Sequence, residues 1–141
     1  IRNSKKSIEA IFNKKKINFV ESYDPSLPNI FGNENQLTQL FVNLLKNGIE
    51  AINEINGIIK ISTRYQHGNL PIKVFVEDNG IGIPDELKEN IFDAFVTNKA
   101  NGKGLGLSIC AKIIQNHSGT IVFDTINNKT IFTVMFNKTN K

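Results

Sequence analysis

The chain has 141 residues, 40% of them hydrophobic and 21% charged, a net charge of +4 and one cysteine. This is the length of one domain (~100–150 residues) with enough apolar content to fill a core, which excludes disordered and fibrous classes. No apolar run nears the ~20 residues of a membrane span, no apolar stretch follows the basic start as in a signal peptide, and the lone Cys110 excludes an internal disulfide framework or multi-cysteine metal site and points to a reducing, cytoplasmic setting.

Residues 1–16 read as a helix, with Ile8, Ile11 and Phe12 at i, i+3, i+4 spacing. The helix starts abruptly and without an initiator Met, so the chain is expected to be part of a longer protein. Lys14-Lys15-Lys16 is the one tight basic cluster. It has no interleaved arginine or aromatic, so it reads as a solvated helix end and not as a nucleic-acid patch. Ile17–Tyr23 alternates as a strand, and Asp24-Pro25-Ser26-Leu27-Pro28 is a loop. Asn33 or Asn35 caps a helix whose stripe runs through Leu37, Leu40, Phe41, Leu44, Leu45, Ile49 and Ile52 to about Ile55, stopping near Gly57. Ile58–Arg64 and Ile72–Asp78 read as two strands around the turn His67-Gly68-Asn69, a hairpin. Pro84 opens a short helix through Leu87 and Ile91. A polar stretch, Thr97–Lys103, leads to a helix from about Leu105 to Asn116. Strands Ile121–Thr125 and Thr130–Phe136 close the chain around Asn127-Asn128. The order predicts an α/β (α+β) two-layer sandwich, a mixed and mostly antiparallel sheet with helices on one face.

Three motifs carry chemistry. Gly102-Lys103-Gly104-Leu105-Gly106-Leu107 precedes a helix, where glycines admit a ligand close to the backbone and N–H groups attract phosphate. It is neither a Walker A loop nor a dinucleotide fingerprint, and taken singly it reads as a flexible loop and helix start. Asp78-Asn79-Gly80-Ile81-Gly82-Ile83-Pro84 ends a strand. An ionised Asp there only accepts hydrogen bonds, which suits an amino group such as that of adenine; singly it is also an ordinary turn. Asn43 and Asn47 lie i, i+4 on or beside an apolar helix stripe, where asparagine is a poor fit unless a polar cleft is near. An amide oxygen also suits Mg²⁺.

In this order and spacing the motifs resemble the ATP-binding catalytic domain of sensor histidine kinases, of the GHKL superfamily. Asn43 to Asn47 looks like the N box, Asp78-x-Gly80-x-Gly82 the first glycine box, Phe92-Asp93-Ala94-Phe95 the F box, and Gly102 to Leu107 the box that closes the ATP lid. His117-Ser118-Gly119-Thr120-Ile121 is similar to the His-Gly-Gly segment that follows. Phe95-Val96-Thr97-Asn98-Lys99 is similar to the Phe-Phe-Thr-Thr-Lys lid of the nitrogen-regulator and sporulation-kinase branch. The resemblance covers residues 17–136.

The resemblance implies Mg-ATP as the bound nucleotide and transfer of its γ-phosphoryl group to a histidine. Asp78 is expected to accept from the adenine amino group. Gly80, Gly82, Ile83 and Phe95 would shape the pocket, with Thr130 reaching adenine from the last strands. Asn47 would coordinate Mg²⁺, with Asn43 beside it as a catalytic residue. Lys99 and Lys103 would be the catalytic cations of the lid, and Gly102, Gly104, Leu105, Gly106 and Leu107 would hold phosphate oxygens. Positioning and charge neutralisation are what phosphoryl transfer asks of a protein.

The chain departs from the family at three places. Glu50 stands where a basic residue is frequent, which moves phosphate contacts towards the lid lysines. Gly48 replaces the usual alanine and weakens the helix by roughly a kcal/mol. Lys129 replaces the usual glycine before Thr130. Neither His67 nor His117 has the acid-then-proline context of a phosphoacceptor, so both read as structural. Residues 1–16 are then expected to be the tail of a dimerisation helix and 17–141 the catalytic domain. The expected partners are the dimerisation and phosphoacceptor domain of the parent protein and a response-regulator receiver domain. No nucleic acid or membrane contact is expected of this segment, and it is expected to be a monomer. Alternatives are a hydrolytic ATPase of the same superfamily, an anti-sigma serine kinase and a nucleotide-binding module without transfer. Asn43 stands where the hydrolases place a Glu base, and an amide is not a useful base.

Overall fold

In the computed structural model the described residues are 1, 3–6, 16–28, 30, 32–52, 56–83, 85–92, 106–127 and 129–137. Period-two alternation sets the sheet. In β2 (Ile58–Tyr65) Ile59, Ile61 and Thr63 are buried. In β3 (Ile72–Asp78) Ile72, Val74, Val76 and Asp78 are buried. In β5 (Lys129–Phe136) Thr130, Phe132, Val134 and Phe136 are buried. With β1 (Asn18–Ser22) and β4 (Thr120–Ile126) these form one five-stranded sheet, ordered β1-β2-β3-β5-β4. β1 runs parallel to β2, with Asn18 opposite Ile58; the other neighbours are antiparallel. The β4–β5 hairpin turns through Asn127 at φ 51°, a left-handed conformation that asparagine tolerates.

Helix α1 (Glu34–Ala51) begins at Asn33, whose side chain accepts from the Gln36 N–H at 3.0 Å. Its buried stripe, Leu40, Phe41, Leu44, Leu45 and Ile49, matches the predicted one. The helix stops at Ile52, whose N–H turns back to the Ile49 carbonyl, three residues short of the expected end. α2 (Gly106–Asn116) buries Cys110, Ile113 and Ile114. Both helices lie on one face of the sheet and close a single core with it. Instead of a full short helix after residue 84, one turn of 3₁₀ helix, Asp85–Leu87, is formed, with Lys88 paired to Asp85 at 2.8 Å.

At the start of the chain, residues 3–6 are helical and dock on α1 and β1. Ser4 is fully buried and donates to the Thr38 carbonyl at 2.8 Å. Lys5 pairs with Glu21 at 2.9 Å and sits over the Phe19 ring. The rest of the predicted first helix, 7–15, lies outside the described residues. His117 is a structural pin. Its Nδ1 faces the Ile113 carbonyl at 2.8 Å, and its Nε2 accepts the Asn33 N–H at 3.0 Å. It thereby ties the end of α2 to the start of α1.

Candidate functional site

The stripe of α1 fixes where its polar neighbours fall. Asn43 and Asn47, one turn apart, are both half-buried at the margin of the buried face. Gly48, the next residue, is buried against the sheet: a methyl at its Cβ position would lie 3.3 Å from the Asp78 Cβ and 3.5 Å from Oδ2. The amide-bearing turn of α1 and the acid at the end of β3 are therefore packed together.

Asp78 is 3% exposed. Its Oδ1 accepts from the Gly80 N–H at 2.9 Å, which fixes the carboxylate at the strand end. The loop beyond turns onto the end of α1. Ile81 N–H donates to the Ala51 carbonyl at 2.9 Å. Gly80 lies so close that an added methyl would fall 2.6 Å from the Ala51 carbonyl carbon. Gly82 has φ +81°, and its Cβ position faces the Thr130 hydroxyl at 4.0 Å. The Asn79 side chain is structural: it accepts from the Ile58 N–H at 2.8 Å and donates to the Asn56 carbonyl at 2.9 Å.

Sheet register brings Thr130 in. It is the direct cross-strand partner of Asp78 on the same buried face. Lys129, on the opposite face, pairs with Glu77 at 3.7 Å, so its replacement of glycine leaves the hairpin intact. Across α1, Cys110 of α2 donates to the Leu40 carbonyl at 3.6 Å. Burial pushes its thiol up to about 12, offset in part by the neighbouring Asn43 amide. At neutral pH Cys110 is a protonated packing residue beside Asn43. Sequence reasoning missed this neighbour. Its signal was the spacing Cys110, Ile113, Ile114, which puts the thiol on the inner face of α2.

Among the described residues, two buried side-chain polar atoms lack a hydrogen-bond partner: Asn43 Nδ2 and Thr130 Oγ1. Buried polar groups are nearly always paired, and both exceptions lie in the site predicted from sequence. Gly106 and Leu107 form the first turn of α2, where N–H groups have no intrahelical acceptor and the helix dipole favours an anion. Ile83 and Leu107 are half-buried against the core. Asn43, Asn47, Asp78, Gly80, Gly82, Ile83, Gly106, Leu107 and Thr130 are thus placed. Phe95, Lys99, Gly102, Lys103, Gly104 and Leu105 lie outside the described residues. Phe92, of the predicted F box, packs edge-on against Phe123 and Phe132.

This arrangement offers a fixed carboxylate acceptor, a donor-capable hydroxyl beside it, two amides on one helix margin and a helix N-terminus. Those parts fit a purine with an amino group at one end and an anionic, cation-bridged tail at the other. The donor set suits Mg²⁺ held by one amide oxygen and phosphates. Among the described residues, no three His, Cys, Asp or Glu converge as an all-protein metal site. No described helix is long and apolar enough to cross a membrane.

The profile described as "Histidine kinase-, DNA gyrase B-, and HSP90-like ATPase" matches residues 32–140. The sensory histidine kinase/phosphatase NtrB of Azospirillum brasilense is 50% identical over 132 residues, which cover 85% of this chain and 33% of that protein. The chain spans about a third of the length of the curated relatives it matches. Among solved structures, the catalytic domain of histidine kinase ThkA superposes with a TM-score of 0.85 at 36% identity, over 97% of this chain and 89% of that one. ThkA in complex with the response regulator protein TrrA superposes with a TM-score of 0.81 at 34% identity, over 98% of this chain and 39% of that one.

Proposed function

The chain belongs to the histidine kinase-, DNA gyrase B- and HSP90-like ATPase family, as a histidine kinase catalytic domain, and from that premise we propose that it binds Mg-ATP between α1, the end of β3 and α2 and passes the γ-phosphoryl group to a histidine on the dimerisation domain of a sensor kinase. The observation that carries this reading is the pair of unpartnered buried atoms, Asn43 Nδ2 on α1 and Thr130 Oγ1, the latter on the cross-strand partner of the fixed Asp78.

Each residue has a defined task. Asp78 accepts from the adenine amino group and repels guanine, whose carbonyl oxygen would face it acceptor to acceptor. Thr130 supplies a hydroxyl to the base edge. Gly82 and Ile83 shape the pocket wall, joined by Phe95, and Gly80 holds the loop on α1. Asn47 offers its amide oxygen to Mg²⁺, and Asn43 its free Nδ2 donor to a phosphate oxygen. Gly106 and Leu107, with Gly102, Gly104 and Leu105, present N–H groups to the phosphates, and Lys99 and Lys103 balance the charge of the terminal one. Mg²⁺, when bound, neutralises charge on the phosphates. The protein's share is positioning and electrostatics. An amide at Asn43 cannot abstract a proton from water, which favours transfer over hydrolysis.

Residues 1–16 are read as the tail of the dimerisation helix and 17–141 as the catalytic domain. The partners are the phosphoacceptor domain and a response-regulator receiver domain, supported by the ThkA complex with its regulator. The segment is read as a monomer in a reducing, cytoplasmic compartment. Titration calorimetry with ATP, with and without Mg²⁺ and with GTP as control, tests the reading. ATP is expected to bind, more tightly with Mg²⁺, and GTP not. Asp78→Asn is expected to lose at least about tenfold in ATP affinity, one hydrogen bond to a charged acceptor being worth roughly 1.5–3 kcal/mol. Equal affinity in the variant would remove Asp78 from the base pocket.

A further inference from the structure

Hydrogen bonds fasten α2 to α1 at its middle and at its end. Midway, the Cys110 thiol donates to the Leu40 carbonyl at 3.6 Å. At the end away from Gly106, the His117 ring bridges the two helices. Its Nε2 accepts the N–H of Asn33, the cap of α1, at 3.0 Å. Its Nδ1 stands 2.8 Å from the Ile113 carbonyl of α2. A carbonyl only accepts and a backbone N–H only donates, so the imidazole is neutral, with its proton on Nδ1. A second proton, on Nε2, would set one N–H against another. Gly32 makes room for the ring: a methyl there would fall 2.7 Å from Cδ2. The Phe136 ring of β5 meets it edge-on. Gln36, Asn116 and Ser118 line an open cleft beside it, so water and its protons reach the ring. Among the described residues, none of these groups is charged. Glu34, the acid in the first turn of α1, is engaged by the Asn3 side chain at 3.0 Å.

The pin stands at one end of a lever. Cys110, the most buried residue of α2, lies seven residues from His117 and four from Gly106. Those spans are about 10 Å and 6 Å along the helix axis. With Cys110 as pivot, each ångström released at the pin becomes about 0.6 Å at the start of α2. A preorganised site holds its groups to within about 0.5 Å. We propose that His117 is a positioning residue for the phosphate end of the site: in its neutral form it clamps α2 to α1, and loss of the clamp, by substitution or by acid, swings the start of α2 out of line with Asn43 and Asn47. The proposal rests on the nucleotide reading of the site and adds a residue that does not itself touch the nucleotide.

The test compares the wild-type chain with His117→Gln and His117→Asn. Glutamine brings an acceptor oxygen to where Nε2 stands and does not titrate, whereas asparagine reaches only the Nδ1 position. Two quantities are read: the Gly106 amide resonance by NMR without nucleotide, and the affinities for Mg-ATP and for adenosine by calorimetry. Each is taken at about pH 7.5 and about pH 5.5, a span in which histidine changes its charge. Adenosine reports the base end on β3 and β5, which the swing leaves in place. Melting curves at both pH values keep the comparison to folded protein. His117→Asn is expected to shift the Gly106 amide, to lose roughly three- to tenfold in ATP affinity and to keep its adenosine affinity. His117→Gln is expected to match wild type near neutrality. In acid the wild-type chain is expected to fall towards the asparagine variant, and the glutamine variant to fall less. Protonation of the nucleotide is common to all three chains and cancels in the comparison.

Equal losses of ATP and adenosine affinity in His117→Asn would overturn the proposal and leave His117 a packing residue. So would an unmoved Gly106 amide with ATP affinity within twofold of wild type. A glutamine variant that follows wild type into acid would place the acid loss on another group and overturn the clamp's pH dependence. A wild-type chain that binds no ATP overturns the parent reading; the Gly106 amide, read without nucleotide, then decides on its own whether His117 positions the start of α2.

Discussion

Thr130 Oγ1 is buried, 3% exposed as a residue, and has no partner. A buried hydroxyl in that state destabilises the fold by about 1–3 kcal/mol, so its retention points to a partner that arrives with the ligand. Valine has nearly the same shape and suits a strand. Thr130→Val is therefore expected to raise stability by about 1 kcal/mol and to lower ATP affinity several-fold, read by urea unfolding and calorimetry on the same sample. A drop in stability would mean that the hydroxyl already has a partner in the unliganded protein. Thr130 and Asp78 show how far single residues were legible. Asp78, Gly80, Gly82, Asn43 and Asn47 stood out because each sits in a short motif whose spacing carries its chemistry. The Asp78–Thr130 pairing and the Gly48–Asp78 contact join residues far apart in the chain, and no local pattern encodes them.

Elements were legible where periodicity decided and less so at their ends. β3 was read with its observed bounds, and α2 to within one residue. α1 was read past its end, because Ile52 and Ile55 continue the helical spacing while the real stop is tertiary: the Ala51 carbonyl is taken by the Ile81 N–H of the β3 loop. That junction gives a sharp prediction. Gly80→Ala puts a methyl 2.6 Å from the Ala51 carbonyl carbon, where only backbone can yield, and is expected to destabilise by about 2–3 kcal/mol in urea unfolding. A second junction is set by charge. The Ser26 hydroxyl, then the N–H groups of Tyr65 and Ser26, hold the Asp24 carboxyl below its ordinary 3.8. A depressed native pKa means stability that is present above the ordinary carboxylate value and lost as pH falls through the native one. The gap in unfolding midpoint between wild type and Asp24→Ala is thus expected to be constant at neutral pH and to close in acid below 3.8. A gap that widened in acid would assign the wrong sign to these hydrogen bonds.

At the scale of the molecule, both hairpins were legible from turn chemistry, but the order of the sheet was not. β5 lies between β3 and its hairpin partner β4, and which free edge takes the last hairpin depends on the whole core. The parallel β1–β2 pair did have a signal, since a helix between two strands is the connection that parallel neighbours require. This topology sets the site across the fold: α1 comes from the β1–β2 crossover, Asp78 from the central strand, Thr130 from the late hairpin, and α2 from the segment between them. A ligand that touches all four binds only the folded chain, so it must shift the global unfolding equilibrium. At a hundredfold excess over its dissociation constant, the shift is about 2.7 kcal/mol, which for a chain of this size raises the melting temperature by roughly 10 °C. Mg-ATP is expected to do so in differential scanning calorimetry, and Mg-GTP at the same concentration is expected to leave the transition where it was. An equal rise with both nucleotides would place recognition on the phosphates at α2 and take it away from Asp78. A rise with ATP alone requires the base end of the site, built on β3 and β5, to be formed in the same molecule as the phosphate end.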